Sequence, residues 1–243
     1  MKHIYQDILT SILQKKKLLA VLIDPDKMKA EDLSGFMLNV NKSVVTHIFV
    51  GGSTVGKNVT EALVTEISRY TDLPIIIFPG DVNQITEKAD ALLFLSLISG
   101  RNPDYLITKH VAAVSKLRQT NLEVIPTGYI LVENGKETSV QIVTSTLPMG
   151  RNNTQAIVDT AKAGELLGMK LIYLEAGSGA IHPIPEGIIS SVKEQLNIPL
   201  IVGGGIKSKE QLEKAYKSGA DMVVIGTAFE EDESFFNELK SNN

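Results

Sequence analysis

The feature that most constrains this chain is a series of short apolar runs that recurs along its length. Each run is continuous and does not alternate between apolar and polar residues, which is the pattern of a strand buried on both faces of a parallel sheet. The runs occupy residues 18–24, 46–52, 74–78, 91–96, 122–128, 170–177, 198–204 and 221–226. They predict eight parallel β-strands.

The segments between most of these runs carry apolar residues at three- and four-residue spacing, which predicts amphipathic crossover helices. Examples are residues 57–70, 103–120, 153–169 and 209–219. Eight βα units in 243 residues predict an α/β fold, a single (β/α)8 TIM-type barrel domain over residues 1–243. Residues 78–89 are short for a full helix, so we expect an irregular third unit.

An open, doubly wound sheet is the alternative architecture. Such a sheet usually carries a G-x-G-x-x-G turn after its first strand. Here the first run ends in Ile23, Asp24, Pro25 and Asp26, which favours the closed barrel.

Composition excludes several classes of protein. The chain has 24 Lys and Arg against 28 Asp and Glu, a net charge of −4 and no Cys. An acidic balance argues against a nucleic-acid partner, and the lack of cysteine excludes disulfides and thiolate sites. The longest nearly apolar stretch, residues 91–98, is too short to cross a bilayer. Residues 1–17 lack the apolar core of an export signal, so we expect a cytoplasmic protein.

Glycines that follow the last two strands predict a phosphate-binding site. Gly203, Gly204 and Gly205 end the seventh run, and Gly226 with Thr227 ends the eighth. In (β/α)8 barrels the loops after these strands commonly bind phosphate, and glycine lets backbone N–H groups approach an anion closely. The structural alternative is a pair of tight turns.

Oxygen-bearing side chains after the first two strands suggest a Mg²⁺ site. Asp24 ends the first run and Ser53 follows the second. Mg²⁺ prefers a few oxygen ligands completed by water and substrate phosphates. The structural alternatives are that Asp26 caps a helix beginning near Met28 and that the Ser53 hydroxyl caps a turn.

The sixth run ends in a carboxylate, Glu175. Alternation along the strand should direct Tyr173 and Glu175 to the same side. A buried glutamate is costly unless it has a partner or a task, which favours a catalytic or substrate-binding role. The alternative is a structural ion pair with a lysine or arginine of the barrel.

Seven segments, taken together and in order, resemble the geranylgeranylglyceryl phosphate synthase family of polyprenylglyceryl phosphate synthases. They are LIDPDK (22–27), FVGGS (49–53), SGRNPDYLI (99–107), PTGYILV (126–132), YLEAGSG (173–179), VGGGI (202–206) and GTAF (226–229). The resemblance spans nearly the whole chain. It implies a Mg²⁺-dependent prenyltransferase on a (β/α)8 barrel that joins a polyprenyl diphosphate to sn-glycerol 1-phosphate in ether lipid biosynthesis.

Position by position, the resemblance implies roles for particular residues. Asp24 and Ser53 would hold Mg²⁺, and Glu175, with Tyr173, would be the catalytic pair, Glu175 being the base. Some relatives carry a lysine at the position of Leu22. The residues implied to bind glycerol 1-phosphate are Tyr173, Leu174, Glu175, Ala176, Gly177, Ser178, Gly179, Gly203, Gly204, Gly226 and Thr227.

The prenyl tail needs an apolar groove, for which strand-end and loop residues are candidates, with core packing as the alternative for each. These candidates are Leu97, Ile98, Tyr105, Tyr129 and Leu131. We also expect a homo-oligomer, a dimer or a hexamer, with at most peripheral membrane contact. Two other functions stay open: another phosphate-binding barrel enzyme (isomerase, aldolase or thiamine-phosphate-type synthase), and a protein that binds a phosphometabolite without turnover.

Overall fold

The protein is a closed barrel of eight parallel strands in the order in which they occur along the chain. The structure, a computed structural model, describes residues 3–226, 228–229 and 235–239. Its strands are β1 (Leu18–Ile23), β2 (His47–Val50), β3 (Ile75–Ile77), β4 (Ala91–Leu97), β5 (Glu123–Leu131), β6 (Leu171–Glu175), β7 (Leu200–Gly203) and β8 (Met222–Ile225). Each of the eight strands predicted from the apolar runs is confirmed.

Helices cover most of the outside of the barrel and its N-terminal end. They are α1 (Ile4–Leu13), α2 (Ala30–Asn41), α3 (Val59–Ile67), α4 (Thr108–Leu117), α5 (Ser139–Thr144), α6 (Thr154–Leu166), α7 (Glu186–Gln195), α8 (Lys209–Lys217) and α9 (Phe235–Glu238). In the part of the chain that the structure describes, no helix is long and apolar enough to cross a membrane.

The start of α2 corrects one expectation. The helix begins at Ala30, with Lys29 at the cap position and no side-chain capping bond. Asp26 therefore does not cap this helix. Its carboxylate instead accepts a hydrogen bond from the Gly56 amide at 3.3 Å, which ties the loop after β1 to the loop after β2.

The third unit is irregular, as the sequence predicts. Between β3 and β4 the chain forms only a single turn of 3₁₀ helix, η1 (Val82–Gln84), where the other units carry an α-helix. Only 13 residues, 78–90, separate these two strands, which is too few for a full helix and its two loops. One side of the barrel is thus covered by a loop, and an apolar cavity lies beneath it.

Alternation along each strand divides the apolar residues into two layers. In β6, Leu171 and Tyr173 point into the barrel, whereas Ile172 and Leu174 pack outward beneath the helices. Both layers are buried, which is why the strands appear as continuous apolar runs in the sequence. Glu175 has the same parity as Tyr173 and ends on the inner side.

The N-terminal end of the barrel is closed by α1. Ile4 and Ile8 of this helix are buried with the inner layer of strand residues. The helix is attached by Glu123 at the start of β5, whose carboxylate accepts hydrogen bonds from the backbone N–H groups of Ile4 and Tyr5, at 2.5 and 3.2 Å. A distant carboxylate therefore caps the first turn of α1.

We expect Glu123→Ala to lower the free energy of unfolding by about 1–2 kcal/mol, because the mutation removes a cap and leaves two N–H groups without their acceptor. Urea unfolding monitored by circular dichroism measures the change. Glu194→Ala, at an exposed position on α7, is the matched control and should change stability little. Equal stability of the two variants would contradict this role for Glu123.

Candidate functional site

A polar cavity of about 340 Å³ opens at the carboxyl ends of the strands. Parallel strands deliver their C-terminal loops to one face of the barrel, so side chains that are far apart in the sequence meet there. Nine of the site residues named from the sequence line this cavity: Asp24, Ser53, Tyr173, Glu175, Gly177, Ser178, Gly179, Gly204 and Gly226.

Of the other four named residues, three are described and do not line the cavity. Leu174 and Ala176 have the opposite parity to Glu175, so both are buried in the outer layer beneath the helices. Gly203 ends β7 beside Tyr173, and a Cβ atom there would lie 2.3 Å from the Tyr173 hydroxyl oxygen. Thr227 lies outside the described residues.

Glu175 is a buried carboxyl group with polar but uncharged partners. Only 5% of the residue is exposed, and burial raises its pKa to about 7, opposed by hydrogen bonds from the Gly177 amide and the Tyr173 hydroxyl. In the described part of the chain no lysine or arginine contributes to this pKa shift, so the structure gives no support to the ion-pair alternative. A carboxyl with a pKa near 7 can exchange a proton at neutral pH.

Tyr173 holds this carboxyl in place. Its ring is fully buried, and burial together with the nearby Glu175 carboxylate raises the pKa of its hydroxyl well above the usual value. The phenol therefore stays protonated and donates its hydrogen bond to Glu175. Pairing of β6 with β7 places Glu175 opposite Gly203, and the missing side chain there leaves room for the Tyr173 hydroxyl.

The glycine loops bring backbone N–H groups close to Glu175. Gly204 and Gly205 have φ of +83° and +73°, a region that side chains disfavour. A Cβ atom on Gly204 would lie 2.5 Å from Glu175 Oε1 and 2.7 Å from the Gly177 nitrogen. The loops after β6 and β7 thus pack backbone against backbone, an arrangement that only glycine permits and that is suited to an anion.

Residues that were not named as site residues also line the cavity, among them Leu22 and Lys207. Leu22 is the last residue of β1 whose side chain points inward, and it lines the cavity beside Gly226. A Cβ atom built on Gly226 would lie 3.4 Å from the Leu22 Cβ. Lys207 follows the glycines of the β7 loop and supplies a positive charge at the edge of the cavity. Its place two residues after a triple glycine, in GGGIK, is the signal that could have identified it.

Asp24 and Ser53 lie where the first two loops meet. The Asp24 carboxylate lies close to Gly52, because a Cβ atom built on Gly52 would be only 2.9 Å from Asp24 Oδ1. This carboxylate accepts the Asp26 N–H at 3.1 Å and lies 3.9 Å from the Lys27 ammonium. In the described residues, no group of three His, Asp or Glu side chains could hold a metal ion. One carboxylate and one hydroxyl fit Mg²⁺, which commonly keeps water and substrate phosphates as its other ligands.

A second, smaller cavity of about 110 Å³ adjoins the first and is mainly apolar. It lies beneath the loop that replaces the third helix. Of the prenyl-groove candidates, Leu97, Tyr105 and Tyr129 line it, whereas Ile98 packs with the outer core and Leu131 with the inner core. Phe78, which sequence reasoning did not single out, borders both cavities.

Fold and cavity together define the class: a (β/α)8-barrel protein whose polar cavity lies at the carboxyl ends of the strands, where enzymes of this fold have their active sites. The model of the PcrB family matches residues 10–242. The chain belongs to the PcrB family.

Named relatives cover almost the whole chain. It is 55% identical over 233 residues to a geranylgeranylglyceryl phosphate synthase of Flavobacterium johnsoniae, covering 96% of each chain. It is 42% identical over 220 residues to the protein of that name in Pyrococcus furiosus, covering 90% of this chain and 86% of the relative. The resemblance seen in the sequence is thereby confirmed.

Solved structures agree with the fold. The (S)-3-O-geranylgeranylglyceryl phosphate synthase of Thermoplasma acidophilum, crystallised in complex with its substrate sn-glycerol-1-phosphate, superposes with a TM-score of 0.91. It is 30% identical, with 98% of this chain and 96% of that chain covered. A thiamine phosphate pyrophosphorylase of Pyrococcus furiosus has a TM-score of 0.56 at 15% identity, covering 93% of this chain and 94% of that one, and shows the fold alone.

Proposed function

We propose that this protein is a prenyltransferase that joins a polyprenyl diphosphate, geranylgeranyl diphosphate in the first instance, to sn-glycerol 1-phosphate. The products are a prenylglyceryl phosphate ether, a precursor of ether lipids, and diphosphate. The observation that carries the proposal is a buried carboxyl group between glycine loops in a polar cavity that adjoins an apolar one. The names of its relatives and the substrate of the Thermoplasma acidophilum structure support it.

The acceptor would bind in the polar cavity. The amides of the loops containing Gly177, Gly204 and Gly226 would hold its phosphate, and Lys207 adds a positive charge at the edge of the cavity. Glu175 is then the base that removes the proton from the acceptor hydroxyl, because its pKa of about 7 leaves a large fraction ionised at neutral pH. Tyr173 keeps the carboxylate oriented through its hydrogen bond.

The donor would span both cavities, with its diphosphate near Asp24 and Ser53 and its tail in the apolar cavity beneath the β3–β4 loop. Asp24 and Ser53 would hold Mg²⁺, which when bound neutralises negative charge on the diphosphate leaving group. The apolar walls of that cavity would surround the prenyl tail and exclude water from it.

Product analysis tests the proposed function. We expect mass spectrometry to detect the prenylglyceryl phosphate ether when the protein is given geranylgeranyl diphosphate and sn-glycerol 1-phosphate. The fixed backbone donors and Glu175 should favour this acceptor strongly over sn-glycerol 3-phosphate. Equal catalytic efficiency with both enantiomers would contradict the assigned acceptor site, and absence of any ether product would refute the function.

Replacing the proposed base tests its role. Glu175→Gln should lower kcat by roughly 10²- to 10⁴-fold, the usual contribution of a positioned base. In the wild type, kcat should rise with pH and level off above a pH of about 7, because the carboxylate is the active form; the residual activity of the variant should lack this transition. The pKa of Glu175 is higher in the folded protein than in the unfolded chain, so the folded protein binds this proton more tightly. The free energy of unfolding of the wild type should therefore fall, relative to that of the variant, as the pH rises from 5 to 8. Wild-type turnover by a folded variant would exclude Glu175 as the base.

The metal assignment is tested by Asp24→Ala. We expect this variant, like the wild type in excess chelator, to lose turnover while it still binds glycerol 1-phosphate, because the metal ion serves the diphosphate. Calorimetric titration with glycerol 1-phosphate measures the binding. The control is Asp72→Ala, at an exposed position before β3, which should retain turnover. Full activity of the wild type in excess chelator would show that no metal ion is required.

A further inference from the structure

Three aromatic rings lie together where the polar and apolar cavities meet. The ring centroids of Phe78 and Tyr129 are 5.8 Å apart, those of Phe78 and Tyr173 are 5.3 Å apart, and those of Tyr129 and Tyr173 are 5.3 Å apart. Each ring comes from a different part of the barrel: the loop after β3, the strand β5 and the strand β6. We call these three residues the aromatic cluster.

Phe78 and Tyr129 border both cavities, whereas Tyr173 borders only the polar one. A chain that extends from the apolar cavity to the acceptor would cross this boundary, where Phe78 and Tyr129 supply the aromatic rings. Aliphatic side chains would be sufficient if the position had only to exclude water. The aromatic rings offer at this boundary a property that aliphatic groups lack, namely the negative potential over the ring face.

The electrostatic surroundings also favour a cation at this place. Burial, and after it the nearby Glu175 carboxylate, raises the pKa of the hydroxyls of both Tyr129 and Tyr173. Both phenols consequently stay neutral. Among the described residues, the lysine that lines the apolar cavity, Lys109, is held by Asp81 at 2.6 Å and lies over the Tyr105 ring, outside the aromatic cluster.

We propose that the rings of Phe78 and Tyr129 stabilise the positive charge that develops on the first carbon of the prenyl donor. This inference rests on the proposed function. As the bond between that carbon and the diphosphate oxygen breaks, the electron pair leaves with diphosphate and the allylic carbon becomes positive. The acceptor oxygen then forms the new ether bond to this carbon, and its proton passes to Glu175. Cation–π attraction to a desolvated ring lowers the energy of this transition state more than that of the neutral ground state.

Two probes of the same shape separate this role from hydrophobic packing. One is a prenyl chain ending in a trimethylammonium group, and the other is the same chain ending in an uncharged tert-butyl group. Each is titrated calorimetrically into the wild type and its variants with inorganic diphosphate present. We expect the wild type to bind the charged probe more tightly. Phe78→Leu and Tyr129→Leu should each reduce this preference by roughly thirtyfold, the value of one desolvated cation–π contact.

Matched controls isolate the ring itself. Tyr129→Phe keeps the ring and should keep the preference for the charged probe. Leu97→Ala, which alters the apolar cavity alone, should weaken both probes equally and leave the preference unchanged. Unnatural 3,4,5-trifluorophenylalanine at position 78 reduces the negative potential of the ring face with little change in shape, so it should reproduce the effect of Phe78→Leu even if that variant folds poorly.

Turnover measured on the same proteins distinguishes the possible failures. In one outcome, the wild type forms the ether product, but the two leucine variants and the trifluorinated protein keep the wild-type kcat and the wild-type preference for the charged probe. This outcome overturns the aromatic role, and the proposed function stands. If the wild type forms no ether product, the proposed function fails and the inference fails with it. Parallel losses of kcat and of charge preference, at unchanged KM for glycerol 1-phosphate, support it.

Discussion

Closure of the parallel sheet is the constraint on which the rest of the structure depends. β8 pairs with β1, so every strand has two neighbours and no edge is left unpaired. Parallel pairing sends the C-terminal loops of all eight strands to one end. Asp24, Ser53, Glu175 and Gly204, which lie up to 180 positions apart in the sequence, meet there for this reason. The opposite end is filled by α1, whose Ile4 and Ile8 are buried against the inner layer of strand residues.

The barrel interior gives Glu175 its chemistry. An ionised carboxyl group that is buried is unfavourable, and among the described residues the Gly177 amide and the Tyr173 hydroxyl offset that cost. The result is a group poised to gain or lose a proton near neutral pH. A salt bridge at this position would have depressed the pKa and weakened the base. Packing of Tyr173 over Gly203 keeps the arrangement rigid, which is what a positioned base requires.

The irregular third unit separates the site into two environments. Without an α-helix between β3 and β4, a loop that carries Phe78 and η1 lies over the barrel wall and leaves an apolar cavity beside the polar one. A substrate with a charged head and an apolar tail needs this division, because each part is stable only in its own surroundings. Phe78 and Tyr129 lie at the boundary, where the reacting carbon of such a substrate would be.

The sequence by itself determined the eight strands, their parallel pairing, the short third unit and most of the polar site. Continuous apolar runs report burial on both faces, and strand ends identify the catalytic face. The sequence could not show which residues of 173–179 face the cavity. The structure shows which side chains of β6 point inward, and Leu174 and Ala176 are not among them. Only the tertiary structure decided that Asp26 ties two loops together, that Glu123 caps α1 and that Phe78 meets Tyr129 and Tyr173. Such contacts join residues distant in sequence, and no local pattern of polarity or spacing records them.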